Sequence, residues 1–225
     1  MNAPRALPCL LTLALLAGCR SNHDVPEEAD GPAWFEDATE ELGIDFVHDA
    51  GPVDGRYFMP QIVGSGVAVF DFDGDGRLDL YFLNNGGPNG KKNRLFRQLP
   101  SGQFKDVSRG SGLDFSGYCM GVAIGDVNND GKPDVLVTLY RGIKLFLNNG
   151  DGTFTDVTEK AGLSNPLWAT SAAFLDFDRD GRLDLIITNY LADDPTRICS
   201  SGSLADYCSP KTFKDRKSTR LNSSH

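Results

Sequence analysis

One short segment occurs three times in the sequence, and this internal repeat constrains the fold more than any other feature. The copies read GVAVFDFDGDGRLDLYFLN, GVAIGDVNNDGKPDVLVTL and AAFLDFDRDGRLDLIITN. Their leading aspartates are Asp71, Asp126 and Asp176, which lie 55 and 50 residues apart. Such spacing predicts an array of similar units, in which each unit covers an apolar face of the next.

A second pattern repeats between these segments. It reads FEDATEELGI from Phe35, FKDVSRGSGL from Phe104 and FTDVTEKAGL from Phe154. Apolar runs predict strands at 67–70, 78–83, 93–99 and 103–107, then at 122–124, 135–140, 143–148 and 153–157, and the third unit shows its first two strands. A period near 50 with several strands per unit is typical of propeller blades, and the 25 glycines suit tight turns. The sequence therefore predicts an all-β fold, a partial β-propeller of about three blades over residues 34–213.

Each repeated segment contains an acidic loop of the form D-x-[DN]-x-D-G-x-x-D. Positions 1, 3, 5 and 9 are Asp71, Asp73, Asp75 and Asp79 in loop 1 (71–79), Asp126, Asn128, Asp130 and Asp134 in loop 2 (126–134), and Asp176, Asp178, Asp180 and Asp184 in loop 3 (176–184). Position 7 offers a backbone carbonyl from Arg77, Lys132 or Arg182. Crowded carboxylates repel one another, and a divalent cation removes that cost. Calcium accepts about six to eight oxygen ligands in a flexible shell, so we expect three calcium ions, one per loop.

Other interpretations of the loops are weaker. No histidine or cysteine lies in them, which disfavours zinc, copper and iron, and magnesium prefers a rigid octahedron. An EF-hand needs glutamate at position 12, where this chain has Phe82, Val137 and Ile187. Solvated acidic turns remain the alternative, although three loops in one register disfavour it.

These motifs resemble the FG-GAP/VCBS repeats, which form the calcium-binding blades of integrin α-subunit propellers. The resemblance covers about residues 34–213. The phrases LNNGDGTFTDVT and GDVNNDGKPD are especially similar to bacterial relatives of cartilage acidic protein, and so is DYCSPKTF from Asp206. This resemblance implies a seven-bladed propeller followed by an ASPIC/UnbV domain, of which the chain holds an N-terminal fragment.

The N-terminus predicts export. Residues 1–18 form a signal peptide whose apolar stretch is shorter than the roughly 20 residues that span a bilayer. It ends in LAGC, which resembles a bacterial lipobox and predicts acylation of Cys19; the alternative is an ordinary secretory signal cut near Ala17 or Gly18. Residues 19–33 read as a flexible tether. We therefore expect a cell-envelope lipoprotein, facing the periplasm or the exterior.

The C-terminal part contains two further features. In an exported protein, Cys199 and Cys208 could form a local disulfide, and Cys119 is then expected to be a small buried residue. The segment 214–225 breaks the repeat pattern, and DRKSTRLNSSH from Asp215 matches the translation of a common sequencing adapter. We interpret it as foreign to the protein.

Function is less constrained than fold. The formal net charge of -9 disfavours nucleic acid as a partner, and the motifs GxSxG, HExxH and the P-loop are absent. We expect a surface binding or scaffold module for a protein or carbohydrate ligand, with membrane attachment through the lipid alone and no catalytic residues. The alternative is a propeller-based polysaccharide lyase or hydrolase using acids and arginines such as Asp45, Asp49, Arg56 and Arg141. A third hypothesis is a calcium switch that regulates adhesion.

Overall fold

The computed structural model describes residues 33–52, 58–191, 196–197, 199–201, 204–209 and 219–222, with the backbone alone at 201, 204–205 and 219–222. The chain divides into two compact units, Met1–Glu36 and Asp37–His225. In the first unit the structure describes 33–36, where Trp34 and Phe35 are 92% and 90% exposed. The predicted signal peptide and Cys19 lie outside the described residues. Within the described part, no helix is long and apolar enough to cross a membrane.

The second unit is built from antiparallel sheets. Blade 1 contains β1 (Val67–Phe70), β2 (Asp79–Phe82), β3 (Arg94–Gln98) and β4 (Phe104–Asp106), and blade 2 contains β5 (Cys119–Gly125), β6 (Asp134–Leu139), β7 (Gly142–Asn148) and β8 (Phe154–Asp156). Each blade is a four-stranded sheet whose strands pair in sequence order. This is the arrangement of a propeller blade. The predicted all-β fold, a partial β-propeller, is confirmed.

Blade 3 pairs β9 (Ala169–Leu175) with β10 (Asp184–Asn189), and β10 also pairs with β13 (Thr219–Asn222). β13 lies in the segment that we interpret as translated adapter, and that interpretation stays a prediction. A hairpin of β11 (Cys199–Ser201) and β12 (Leu204–Asp206) forms a separate two-stranded sheet. Cys199 and Cys208 form a disulfide with their Cα atoms 5.1 Å apart, and Cys208 packs in one buried cluster with Met120 and Trp168 of blades 2 and 3.

The first strands of successive blades approach one another closely. A Cβ added to Gly66 would lie 3.2 Å from the Cα of Gly121, and one added to Gly121 would lie 2.7 Å from the carbonyl oxygen of Thr170. The glycine that opens the first two repeated segments is therefore required by the contact between backbones.

The core lies between the blades rather than within one sheet. β6 is buried on both faces: Val135 and Val137 pack towards blade 1, and Leu136 packs towards blade 3. This alternation follows from the period of two along a strand. A strand buried on both sides reads as a continuous apolar run, which is the pattern that the sequence shows at 135–137.

The second repeated pattern builds the contact between one blade and the next. The N–H of Phe104 donates to the carbonyl of Leu42, and the N–H of Phe154 donates to the carbonyl of Ser111, both at 2.7 Å. The residue after each acceptor is a glycine with positive φ, and a Cβ on Gly112 would lie only 2.2 Å from the carbonyl oxygen of Phe154. We call the pair of residues that contains the acceptor and the following glycine the x-Gly turn. The inter-blade clasp is the backbone hydrogen bond from a phenylalanine on the fourth strand of one blade to the x-Gly turn of the preceding unit.

Candidate metal centre

Each acidic loop connects the first and second strands of its blade. Position 1 directly follows the first strand and position 9 begins the second, so the two strands bring these carboxylates together. In loop 1 one carboxylate oxygen from each of Asp71, Asp73 and Asp79 lies within 4.8 Å of the other two. The same is true of the equivalent residues in loop 3, Asp176, Asp178 and Asp184. Positions 1, 3 and 9 therefore form a cluster of three acids in these two loops.

The aspartate at position 1 also organises the loop backbone. The Oδ1 atom of Asp71 accepts the N–H groups of Gly74 and Asp75 at 2.8 and 3.1 Å, and its Oδ2 accepts that of Gly76 at 2.7 Å. Asp126 and Asp176 accept the N–H groups of positions 5 and 6 in their loops. Position 6 has a φ of 83 to 85° in all three loops, which is the left-handed region that favours glycine.

The aspartate at position 9 joins the loop to the sheet. Asp79 and Asp134 are fully buried. The Oδ2 atom of Asp79 accepts the N–H of Phe72 at 3.1 Å, and its Oδ1 accepts that of Gln98, on the third strand, at 2.7 Å. Asp134 accepts the equivalent pair of N–H groups, and in each case burial raises the pKa of the carboxyl group. A cation bound beside such a carboxylate would offset the cost of burying its charge.

The aspartate at position 5 lies outside the two three-acid clusters, and in loops 1 and 2 it pairs with protein cations. Asp75 contacts the guanidinium groups of Arg77 and Arg97, the latter at 2.9 Å. The hydrogen bond from Arg97 is the main reason that the pKa of Asp75 is lowered. In loop 2, Lys132 holds the pKa of Asp130 low through a bond of 2.8 Å.

Arg97 is the residue of this site that sequence reasoning missed. It lies on β3, and its Nε atom is 2.6 Å from Oδ2 of Asp73. No spacing rule within the loop points to a side chain so far along the chain, because the pairing of β2 with β3 places it there. The assignment of position 5 as a ligand, and of the carbonyls of Arg77, Lys132 and Arg182, stays a prediction.

Loop 2 differs from the other loops at position 3. Asn128 stands there, its Oδ1 accepts the N–H of Asp130 at 3.0 Å, and its Nδ2 donates to a carboxylate oxygen of the same residue at 3.2 Å. Loop 2 thus presents two carboxylates, Asp126 and Asp134, where loops 1 and 3 present three. The aspartates offer oxygen atoms, which suit a hard divalent cation, and loops 1 and 3 are the two in which three of them come together.

The residues considered for an enzyme site have separate partners. Asp45 pairs with Arg94 at 2.9 Å, and the carboxylate of Asp49 accepts the N–H groups of Gly51 and Lys91. The guanidinium of Arg141 lies over the ring of Tyr140, 5.8 Å from its centroid. Arg56 lies outside the described residues.

Comparison with known protein families gives a match to this sequence. The sequence model of a family described as FG-GAP-like repeat matches residues 71–137 and again 126–187. Together the two matches run from the start of loop 1 to the middle of β10, just over half of the chain, and they include all three loops. No curated protein matches the sequence.

Proposed function

The chain belongs to the family of FG-GAP-like repeat proteins, and from this we propose that it is an exported calcium-binding module that acts as a surface scaffold for a protein or carbohydrate ligand. The observation that carries the proposal is the convergence of three carboxylates within 4.8 Å in loops 1 and 3. The same three positions, 1, 3 and 9, converge in both loops, and each of them offers a carboxylate oxygen to a cation.

Calcium is the cation that best suits these loops. Positions 1, 3 and 9 would hold it in each loop, with position 5 and the carbonyl of position 7 as further donors. The bound ion supplies positive charge to carboxylates that are otherwise crowded or buried. Extracellular calcium modules typically have a Kd of about 10⁻⁴ to 10⁻³ M, so roughly 1 mM calcium would stabilise the fold by about 0.4 to 1.4 kcal/mol per site. Ions of this affinity stabilise the connection between the first two strands and serve poorly as switches.

Export and anchoring are part of the same proposal. They are supported by the apolar stretch and the LAGC sequence that ends at Cys19. An acylated Cys19 would attach the propeller to a membrane, and the 19–33 tether would hold it away from the surface. The similarity of LNNGDGTFTDVT and GDVNNDGKPD to bacterial relatives of cartilage acidic protein supports placing the chain near the ASPIC/UnbV group. Long-read sequencing of the gene across codon 214 tests that placement.

The calcium proposal is tested by thermal unfolding of the full chain with calcium and with a chelator. We expect chelation to lower the Tm, and we expect Asp73→Asn and Asp178→Asn each to remove part of that difference. Glu40→Gln is the matched control, since it removes one charge from an exposed side chain outside the loops. An unchanged Tm on chelation, together with no heat of binding in a calcium titration, would reject the metal assignment.

The scaffold proposal has a separate test. The calcium-loaded chain is incubated with a panel of polysaccharides, and both retention of the protein and release of new sugar ends are measured. Retention without release supports a binding module. Release that disappears when one acid outside the loops is changed would establish an enzyme instead.

A further inference from the structure

A cation of the protein itself lies among the acids of loop 1. Arg97, on β3, donates a hydrogen bond from Nη2 to Oδ2 of Asp75 at 2.9 Å. Its Nε atom lies 2.6 Å from Oδ2 of Asp73, which belongs to the three-acid cluster of this loop. One guanidinium group therefore contacts two of the aspartates that we assign to calcium in loop 1.

The contact between Arg97 and Asp73 is an ion pair that can open without moving the strand. The Nε atom is buried and has no well-aligned hydrogen-bond acceptor among the described residues, despite its short distance from Asp73. The side chain of Arg97 as a whole is 41% exposed, whereas that of Asp73 is only 15% exposed. An arginine whose charged end already reaches solvent can turn outwards on its flexible stem.

Blade 2 has an apolar residue in the place of Arg97. Gln98 and Asn148 are equivalent, because each donates its N–H to the position 9 aspartate of its own blade. The residues that precede them are therefore equivalent as well, which matches Arg97 with Leu147. Leucine carries no charge, so the third strand of blade 2 brings no cation to loop 2 at this place.

The acid that Arg97 contacts is also missing from loop 2. Position 3 is Asp73 in loop 1 and the neutral amide Asn128 in loop 2. A carboxylate at position 3 thus occurs with an arginine on the third strand, and an amide occurs with a leucine. Loop 1 has one additional negative charge and one additional cation, so the two loops, each taken with the cations that contact it, have the same formal charge.

We propose, on the basis of the calcium function above, that Arg97 competes with calcium for Asp73 and Asp75 and thereby sets the calcium affinity of loop 1. A calcium ion and a guanidinium group held by the same carboxylates repel each other, most strongly where water is partly excluded. Calcium therefore has to displace Arg97 from Asp73, which lowers the affinity of the loop. Where calcium is scarce, the guanidinium offsets the mutual repulsion of the acids.

Calorimetric titration of the full chain with calcium tests the competition. Arg97→Leu gives blade 1 the residue that blade 2 has at the equivalent place. We expect it to tighten calcium binding at one site by about tenfold, which is within the usual range of coupling between two bound groups. Combining it with Asp73→Asn should abolish most of this gain, because Asp73 is the acid for which the two cations compete.

Lys105→Leu is the matched control. Lys105 lies opposite Arg97 on β4, is exposed, and forms no ion pair in the described part of the chain. Its replacement removes the same charge from the same sheet without freeing an acid of loop 1. Calcium affinity should change by less than about twofold, because solvent and salt screen an unpaired surface charge. An equal gain in both variants would overturn the proposal, since total charge alone would then explain it.

Thermal unfolding supplies a second readout, of opposite sign. In chelator, Arg97→Leu should lower the Tm, because the acids of loop 1 lose the cation that offsets their repulsion. In saturating calcium, the Tm of this variant should approach that of the unaltered chain. A purely structural role for Arg97 would lower the Tm by similar amounts with and without calcium, and that result would also overturn the competition.

The outcomes separate the role of Arg97 from the assignment of calcium itself. If the unaltered chain binds calcium and Arg97→Leu binds it equally or more weakly, Arg97 does not compete and the calcium sites stand. If neither chain gives a heat of binding or a change in Tm on chelation, the calcium assignment fails, and the competition fails with it.

Discussion

The side chain of Asn148, in blade 2, donates a hydrogen bond of 2.8 Å to the carbonyl of Phe72, 76 residues earlier in loop 1. Asn148 is 3% exposed. Replacing it by alanine leaves the carbonyl of Phe72 buried without this donor, so we expect Asn148→Ala to lower the free energy of unfolding by about 1 to 3 kcal/mol. Urea unfolding measures the change. Asn149→Ala is the control: its exposed side chain bonds within its own hairpin, to the hydroxyl groups of Thr153 and Thr155, and its loss should lower the free energy of unfolding by under about 0.5 kcal/mol. If Asn148→Ala and Asn149→Ala lowered the free energy of unfolding equally, the hydrogen bond between the blades would contribute nothing to stability.

The inter-blade clasp can be tested with two glycines that share one backbone conformation. Gly110 and Gly112 have φ of 82 and 84°, but a Cβ on Gly110 meets open space and one on Gly112 would lie 2.2 Å from the Phe154 carbonyl oxygen. Gly110→Ala should lower the free energy of unfolding by about 1 to 2 kcal/mol, which is the strain of a positive φ alone. Gly112→Ala should lower it by about 1 to 3 kcal/mol more than Gly110→Ala does, because the added Cβ forces the two blades apart. Similar Tm values for the two variants would contradict the clasp.

Because Asn128 is an amide at position 3 of loop 2, we expect that a carboxylate there would raise the affinity of this loop for calcium. Asn128→Asp gives this loop the three carboxylates of loops 1 and 3. We expect tighter calcium binding at one site in a calorimetric titration, and a lower Tm in chelator because the added charge repels Asp126 and Asp134. Asn149→Asp, which adds the same charge in an exposed hairpin turn, should change neither quantity appreciably. An unchanged titration in Asn128→Asp would argue against position 3 as a ligand.

Cys119 should be chemically inert in the folded protein. It is fully buried, and burial raises the pKa of its thiol to about 12. At pH 8 about one molecule in 10⁴ would carry the reactive thiolate. We expect mass spectrometry to find the Cys119 peptide unmodified after treatment with iodoacetamide, and fully modified when denaturant is added. Rapid modification without denaturant would show that the core around β5 opens.

Asp49 predicts a pH dependence of stability. Its carboxylate accepts the N–H of Lys91 at 2.6 Å and that of Gly51 at 3.0 Å, and these bonds lower its pKa from the ordinary value of 3.8. When the pKa of a carboxyl group is lower in the folded chain than in the unfolded chain, the charged group stabilises the fold at pH values above the pKa of the unfolded chain. This stabilisation is lost as the pH falls through the pKa of the folded chain. The difference in unfolding free energy between the unaltered chain and Asp49→Asn should therefore stay constant near neutral pH and shrink below about pH 4. A difference that is independent of pH down to acid conditions would contradict the charge-assisted bonds.

Local patterns predicted most of the fold. β1 occupies the predicted residues, and the other strands of blades 1 and 2 lie within or close to the predicted ranges. The main difference is β5, which starts at Cys119 rather than near Val122. Gly121 interrupts the apolar run and the pairing shifts there, so periodicity alone ended the strand too early. The strand continues because its backbone packs against Thr170 of the next blade.

The candidate site was only partly visible in the sequence. Spacing identified the acids of each loop, since strand ends fix positions 1 and 9. It could not show that Asp75 pairs with Arg97 from β3, because strand register determines that contact. Nor could it show that Asp79 and Asp134 are fully buried, which depends on how the third strand covers the loop. Features set by contacts between distant segments are those that single-sequence patterns miss.

The hydrogen bond from Phe154 to Ser111 has a consequence for how such a chain can change length during evolution. Blade 1 bonds to the unit before it through Phe104 and holds Phe154 of blade 2 on its own x-Gly turn, so the two interfaces are built from equivalent residues of the repeat. Recombination between equivalent codons of two repeats would then add or remove one whole blade and leave every remaining interface matched. A crossover at unequal positions would instead separate a phenylalanine from its turn. A duplication of one full repeat would thus preserve the bond between each phenylalanine and its turn.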